Sequence, residues 1–248
     1  MKIYIPIIFI VGVAGAILIA LQFVKEPIEE PVFGGGVEFS DSFTISGGDI
    51  NLDAHTGTEI GSGWTEVWSD SADIYIEASF DFAYCNGGIS DGSVYTIDDT
   101  PSGADYIVQA TYAASDSGDD AATLICRWQD SSNYYAVSWI SDNAYLRKVV
   151  SGSATGLDTD NGIAGGSVVE LICDGDSITV EDDGVEIMSA TDSDISATGK
   201  PAIGFGTAPS WCSTCDCDLQ ALDDYIVTTL GTAVEADITP PIQIIIID

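Results

Sequence analysis

Residues 121–152 read AATLICRWQDSSNYYAVSWISDNAYLRKVVSG, and residues 167–190 read SVVELICDGDSITVEDDGVEIMSA. Runs rich in Val, Ile, Tyr and Trp alternate here with short turns of Asp, Ser, Asn and Gly, the pattern of consecutive antiparallel hairpins. Strands are expected over residues 124–129, 134–140, 145–150, 168–173, 177–181 and 185–189. The connections DGD and DDG between the last three contain Asp-Gly, the strongest short hairpin signal, because Gly tolerates a positive φ.

The same texture extends outward. Upstream, residues 37–48, 71–83 and 104–113 read as strands, with DIYIEASFDFA as one of them and 85–93 as a loop. Downstream, PAIGF (201–205) and LDDYIVT (222–228) complete the set. Turns recur with no helical period between them. The expected fold class is therefore all-β, an antiparallel jelly-roll sandwich over residues 37–230.

The order FSDSF, LDAHTG, GSGWTEV, ICRWQDSSNYYAVSW, AYLRKVVSG, VVELICDGDSITVEDDGVEI and GKPAIGF resembles concanavalin A-like (laminin-G-like) jelly-roll domains, over residues 37–228. Similar modules occur in surface proteins, in phage structural proteins and beside glycoside hydrolases. The resemblance implies the fold. It does not select a function, because this superfold hosts lectins, enzymes and inert spacers. The E-x-D-x-x-E strand motif of its hydrolase members is absent, and Glu170 and Glu181 lack that spacing.

The two ends differ from the middle. Residues 3–24 carry no charge and are long enough, as a helix, to span a bilayer. Residues 1–25 are read as one transmembrane signal-anchor helix, with a cleaved signal peptide as the alternative. Residues 26–36 form a Pro/Glu/Gly linker. In the tail, residues 231–248, the segment TPPIQIIIID ends the chain. Its Ile242, Ile244, Ile245, Ile246 and Ile247 form an aggregation-prone strand that must be covered, by its own sheet, by the linker or membrane, or by donation to a neighbouring subunit.

Composition sets further bounds. Forty acidic residues face six basic ones, for a formal net charge of −34. No basic patch can form, which excludes nucleic acid as a partner. The acidity is read as a solvated coat, with calcium as the candidate cofactor. Its candidate ligands are Asp158, Asp160 and Asn161 in DTDNG, and Asp116, Asp119 and Asp120 in DSGDD. Turn formation explains the same residues.

The six cysteines are Cys85, Cys126, Cys173, Cys212, Cys215 and Cys217. An even count behind an export signal favours disulfides, and Cys126 with Cys173 is the expected pair because both sit in LIC strand contexts.

No catalytic residue is assigned. His55, the single histidine, lacks a G-x-S-x-G elbow or other partner motif and is expected to fix a turn. Tyr135, Trp139, Tyr145 and Arg147 are candidates for a ligand-binding face, with core packing the competing role of Trp139. Arg127, Arg147 and Lys148 are expected to neutralise nearby carboxylates.

The expected function is a non-enzymatic extracellular structural or adhesive surface protein, held to the membrane by its N-terminal helix. Self-assembly into a filament or layer would use the C-terminal strand. The alternative is a carbohydrate-binding module on the cell surface, and a lower one is a glycan-active enzyme.

Overall fold

The computed structural model describes residues 5–13, 16–24, 35–56, 58–86, 91–113, 121–140, 143–161, 165–206 and 220–231. The folded unit is Gly35–Gly231.

The N-terminal stretch departs from expectation. Strands β1 (Ile5–Val13) and β2 (Ala16–Val24) pair antiparallel from Ile5↔Val24 to Val13↔Ala16. The expected helix is replaced by two strands. Among the described residues no helix is long and apolar enough to cross a membrane. The run is rich in β-branched Ile and Val, which lose side-chain freedom in a helix and suit a pleated strand.

Among the described residues the folded unit contains sixteen strands: β3 (Val37–Asp41), β4 (Ile50–Asn51), β5 (Trp64–Asp70), β6 (Asp73–Glu77), β7 (Phe82–Asn86), β8 (Gly92–Ile97), β9 (Tyr106–Ala113), β10 (Ala121–Asp130), β11 (Asn133–Ile140), β12 (Asn143–Val150), β13 (Ser153–Asn161), β14 (Val168–Asp174), β15 (Ser177–Asp182), β16 (Val185–Thr191), β17 (Lys200–Gly206) and β18 (Ala221–Thr229). One 3₁₀ turn, Leu52–Ala54, joins them. A seven-stranded sheet runs β13-β12-β11-β10-β17-β8-β5. A nine-stranded sheet runs β16-β15-β14-β9-β18-β7-β6-β4, with β3 on β18.

The core lies between the sheets and is built by strict alternation. Leu124 and Cys126 of β10, Tyr135, Val137 and Trp139 of β11, and Leu146 of β12 point inward to meet Val169, Leu171 and Cys173 of β14 and Val227 of β18. The Cys126–Cys173 disulfide links the two sheets across 47 residues. Cys85 is also disulfide-bonded. Cys212, Cys215 and Cys217 lie outside the described residues.

Arg127 pins several loops at one edge. It sits at a bulge in β10 with φ 53° and is almost fully buried. Its guanidinium donates to the carbonyls of Ala104, Ile195 and Gly175 and to the Asp105 carboxylate, while its backbone N–H donates to the Tyr106 hydroxyl. A Cβ on Gly199 would come within 2.5 Å of the Arg127 carbonyl carbon, so only glycine fits there.

Two readings of single segments change. DIYIEASFDFA is a hairpin, β6 and β7, with its turn at residues 78–81. Residues 158–161, DTDN, belong to β13, an edge strand. Its short polar and acidic side chains suit a sheet edge, which they protect from further pairing.

Candidate functional site

The sequence-nominated residues divide between two faces. Tyr135 and Trp139 point into the sandwich and are buried. Trp139 stacks on Tyr112 at 5.4 Å between centroids. The Tyr135 hydroxyl donates to Asp192 Oδ1 and accepts from the Ile195 amide. Burial first, then the Asp192 hydrogen bond, pushes its pKa up to about 12. Tyr145 and Arg147 lie on the outer face of the seven-stranded sheet, half-buried, with the guanidinium 4.6 Å from the ring centroid. Burial lowers the Arg147 pKa.

Part of that outer face is buried. Val94, Ile125, Trp128, Tyr134, Ala136, Val149 and Ala202 form a second apolar cluster. Beside it the Thr123 and Ser138 hydroxyls hydrogen-bond at 3.0 Å.

Arg127 and Lys148 are held by carboxylates. Lys148 Nζ donates to Asp192 and, at 2.6 Å, to Asp194. Burial disfavours the Asp192 carboxylate, but hydrogen bonds from Lys148 and Tyr135 outweigh it and hold its pKa below the usual value.

Asp158 and Asp160 are occupied with backbone. Asp158 accepts from the amides of Thr159 and Ser189, the second tying β13 to β16, and Asp160 accepts from Asn161. Among the described residues no group of three or more His, Cys, Asp or Glu is gathered to hold a metal. Asp116, Asp119 and Asp120, and Ile242, Ile244, Ile245, Ile246 and Ile247, lie outside the described residues.

His55 is buried, with Nε2 3.0 Å from Asp41 Oδ1. The Asp41 carboxylate also accepts from Trp64 Nε1 at 2.8 Å and from the Phe43 amide. These bonds fasten the start of the domain to the core rim, where Trp64 packs on Phe39, Phe43 and Tyr225. His55 thus reaches beyond its own turn.

A different feature emerges on the outer face of the nine-stranded sheet. Phe80 at the tip of the β6–β7 hairpin is 67% exposed. It stacks on Phe82 at 5.7 Å with planes 10° apart. Phe82 meets Tyr84 edge-on at 6.2 Å, and Tyr84 meets Tyr75 at 6.2 Å. Tyr75 and Tyr84 are register partners across the hairpin, and so are Glu77 and Phe82. The opposite side of the same two strands, Ile74, Ile76, Ala83 and Cys85, is core. Four rings therefore form a continuous row on this face, with Phe80 exposed and Phe82, Tyr84 and Tyr75 half-buried.

Carboxylates surround the row. Asp49 hydrogen-bonds the Tyr84 hydroxyl and accepts from the Ala78 amide at 3.1 Å. Tyr75 donates to Asp73 at 3.4 Å. Burial, then the charges of Asp49 and Glu77, raises the Tyr84 pKa.

The signal for this row is present in the sequence. Phe82 and Tyr84 alternate in SFDFAYC, and alternate positions of a strand share a face, while Phe80 belongs to the turn that precedes them. Reading a single strand through residue 83 hid the hairpin that adds Tyr75.

Further along the same sheet, Glu170 and Glu181 are register partners across β14 and β15. Burial first, then the Glu181 charge and a hydrogen bond to it, raises the Glu170 pKa.

No protein-family model matches the chain, and no curated protein matches it in sequence. Solved structures do match. Domain 4 of AbnA, a GH43 extracellular arabinanase from Geobacillus stearothermophilus, in complex with arabinotriose, aligns with TM-score 0.53 and 14% identity, over 79% of this chain and 93% of that one. Carbohydrate-binding module CBM66 from Bacillus subtilis aligns with TM-score 0.50 and 16% identity, over 65% and 92%. A Bacillus subtilis protein of unknown function with a galectin-like fold aligns with TM-score 0.50 and 11% identity, over 68% and 90%. With the two facing antiparallel sheets and the inter-sheet core, these likenesses identify the folded unit as a concanavalin A-like jelly-roll sandwich.

Proposed function

We propose that the folded unit is a non-enzymatic carbohydrate-binding module that works outside the cell. The observation that carries this reading is the outward-facing row Phe80, Phe82, Tyr84 and Tyr75, exposed at Phe80 and half-buried along the rest. Sugar rings present apolar C–H faces that stack on aromatic rings, while their hydroxyls take hydrogen bonds from flanking polar groups. Ring steps near 6 Å suit successive units of an extended glycan. The carboxylates of Asp49, Asp73 and Glu77 supply acceptors beside the rings. Two matching structures, a carbohydrate-binding module and a domain holding arabinotriose, agree with this reading.

Binding without cleavage is favoured by the carboxylate geometry. Glycoside hydrolysis needs two carboxyl groups about 5 Å or more apart, with the scissile bond between them. Glu170 and Glu181 are directly opposed register partners on adjacent strands rather than two groups flanking a cleft, and burial first, then the Glu181 charge, raises the Glu170 pKa. An extracellular setting is supported by the inter-sheet disulfide, since such bonds persist in oxidising compartments. The glycan reading is preferred to a filament or layer subunit because the aromatic row is built and the matching structures include a carbohydrate-binding module and a domain holding arabinotriose.

The test is a pull-down of the full chain on a panel of insoluble polysaccharides. Retention on at least one, abolished by Phe80→Ala with Phe82→Ala, is the expected result. Retention on none, or retention unaffected by the double variant, overturns the proposal.

A further inference from the structure

We propose that the aromatic row takes a cationic amino-sugar polymer, a chain of glucosamine-type units with free amines. This rests on the glycan-binding reading of the same row and names its ligand class.

The distribution of charge carries the inference. Four described basic side chains, Arg127, Arg147, Lys148 and Lys200, all sit on β10, β12 and β17 of the seven-stranded sheet. The strands of the nine-stranded sheet carry no Lys or Arg. Acidic residues are meanwhile packed around the rings. Glu77 is the register partner of Phe82, Asp81 lies between Phe80 and Phe82 in the chain, Asp73 meets Tyr75 and Asp49 meets Tyr84.

A uronate or sulfated glycan would be repelled from this surface. A neutral glycan would use the rings and the carboxylates as hydrogen-bond acceptors, but not their charge. A protonated amino sugar uses both features. Its ring stacks, and its ammonium group meets an aromatic face or a neighbouring carboxylate. The carboxylates are also placed to discriminate, because removing the amine charge by acetylation removes what they attract.

The experiment is calorimetric titration of the full chain at pH 5.5. The ligands are the β-1,4-linked glucosamine hexamer and its fully N-acetylated counterpart. The amine hexamer is expected to bind about five- to tenfold more tightly, the scale of one exposed cation–π contact plus one exposed ion pair. Phe80→Ala should weaken both ligands. Glu77→Gln should weaken only the amine hexamer. Asp174→Asn, an exposed acid at the far end of the same sheet, should change neither. Raising the pH above the amine pKa should erase the preference.

Equal affinity for the two hexamers, or binding of neutral polysaccharides alone, overturns the amine inference and leaves the glycan-binding reading standing. An Asp174→Asn loss as large as that of Glu77→Gln also overturns it, because the attraction is then diffuse. Binding to neither hexamer nor any neutral polysaccharide removes both.

Discussion

Two sets of aromatic residues divide the labour in this molecule. Tyr135 and Trp139 sit in a long, conspicuous hairpin and face inward, where Trp139 stacks on Tyr112. Phe80, Phe82, Tyr84 and Tyr75 sit in a short hairpin and face outward, with Phe80 two-thirds exposed. Both sets follow the same period of two. What separates them is which side of the sheet has a partner layer. An aromatic side chain buried between sheets stabilises the fold. The same chemistry left in water costs solvation of an apolar surface, and a patch of it marks an interaction site.

The contrast can be broken by substitution, beginning with the largest expected effect. Trp139→Ala removes a buried indole and should cost about 3–5 kcal/mol in urea unfolding. If the cost is below about 1 kcal/mol, Trp139 is not core. Replacing Cys126 and Cys173 together by Ala opens a 47-residue loop and should cost about 2–4 kcal/mol by the same assay. Phe80→Ala should shift stability by no more than about 0.5 kcal/mol, as for other surface sites, while weakening glycan binding. A large loss of stability in Phe80→Ala would place that ring in the core and end the comparison.

The smallest effect depends on pH. Burial first, then the charges of Asp224, Asp81 and Asp41, raises the Asp223 pKa to about 6, above the ordinary aspartate range. The folded chain therefore holds this proton after the unfolded chain has released it. Stability from this group falls as pH rises from about 4 to about 6, and is flat above. Asp223→Asn should melt higher than the parent at pH 7.5 and equally at pH 3.5. A higher melting temperature for the parent at pH 7.5 would reverse the sign. Glu170→Gln should act in the same direction, since its carboxyl is also raised by burial and by Glu181.

Much of the fold is legible in the sequence because its causes are local. Hairpins such as β14–β15 announce themselves through alternation and an Asp-Gly turn, with Gly175 at φ 55°. The Cys126–Cys173 link is legible in the similar strand contexts of its two cysteines, LICRW and LICDG. Other features depend on tertiary context. Residues 153–161 read as a polar connection but complete a sheet edge, where exposure tolerates Asp and Thr. Residues 5–24 carry an apolar run that serves a helix or a strand equally well by periodicity, and β-branched composition decides for strands. His55 is buried against Asp41, 14 residues away, a partner that no local motif identifies. The candidate site was half legible. Alternation alone places Phe82 and Tyr84 on one face, and Phe80 joins them from the turn. Which face is solvent depends on the packing of the other sheet.

The most direct test compares the parent chain and Phe82→Ala by affinity electrophoresis through gels containing the polysaccharide that retains the parent, with thermal melting run on both. Retarded migration of the parent, normal migration of the variant and closely similar melting temperatures are expected if the outer row binds glycan and the inner aromatics hold the fold. Equal retardation of the two proteins would contradict that account.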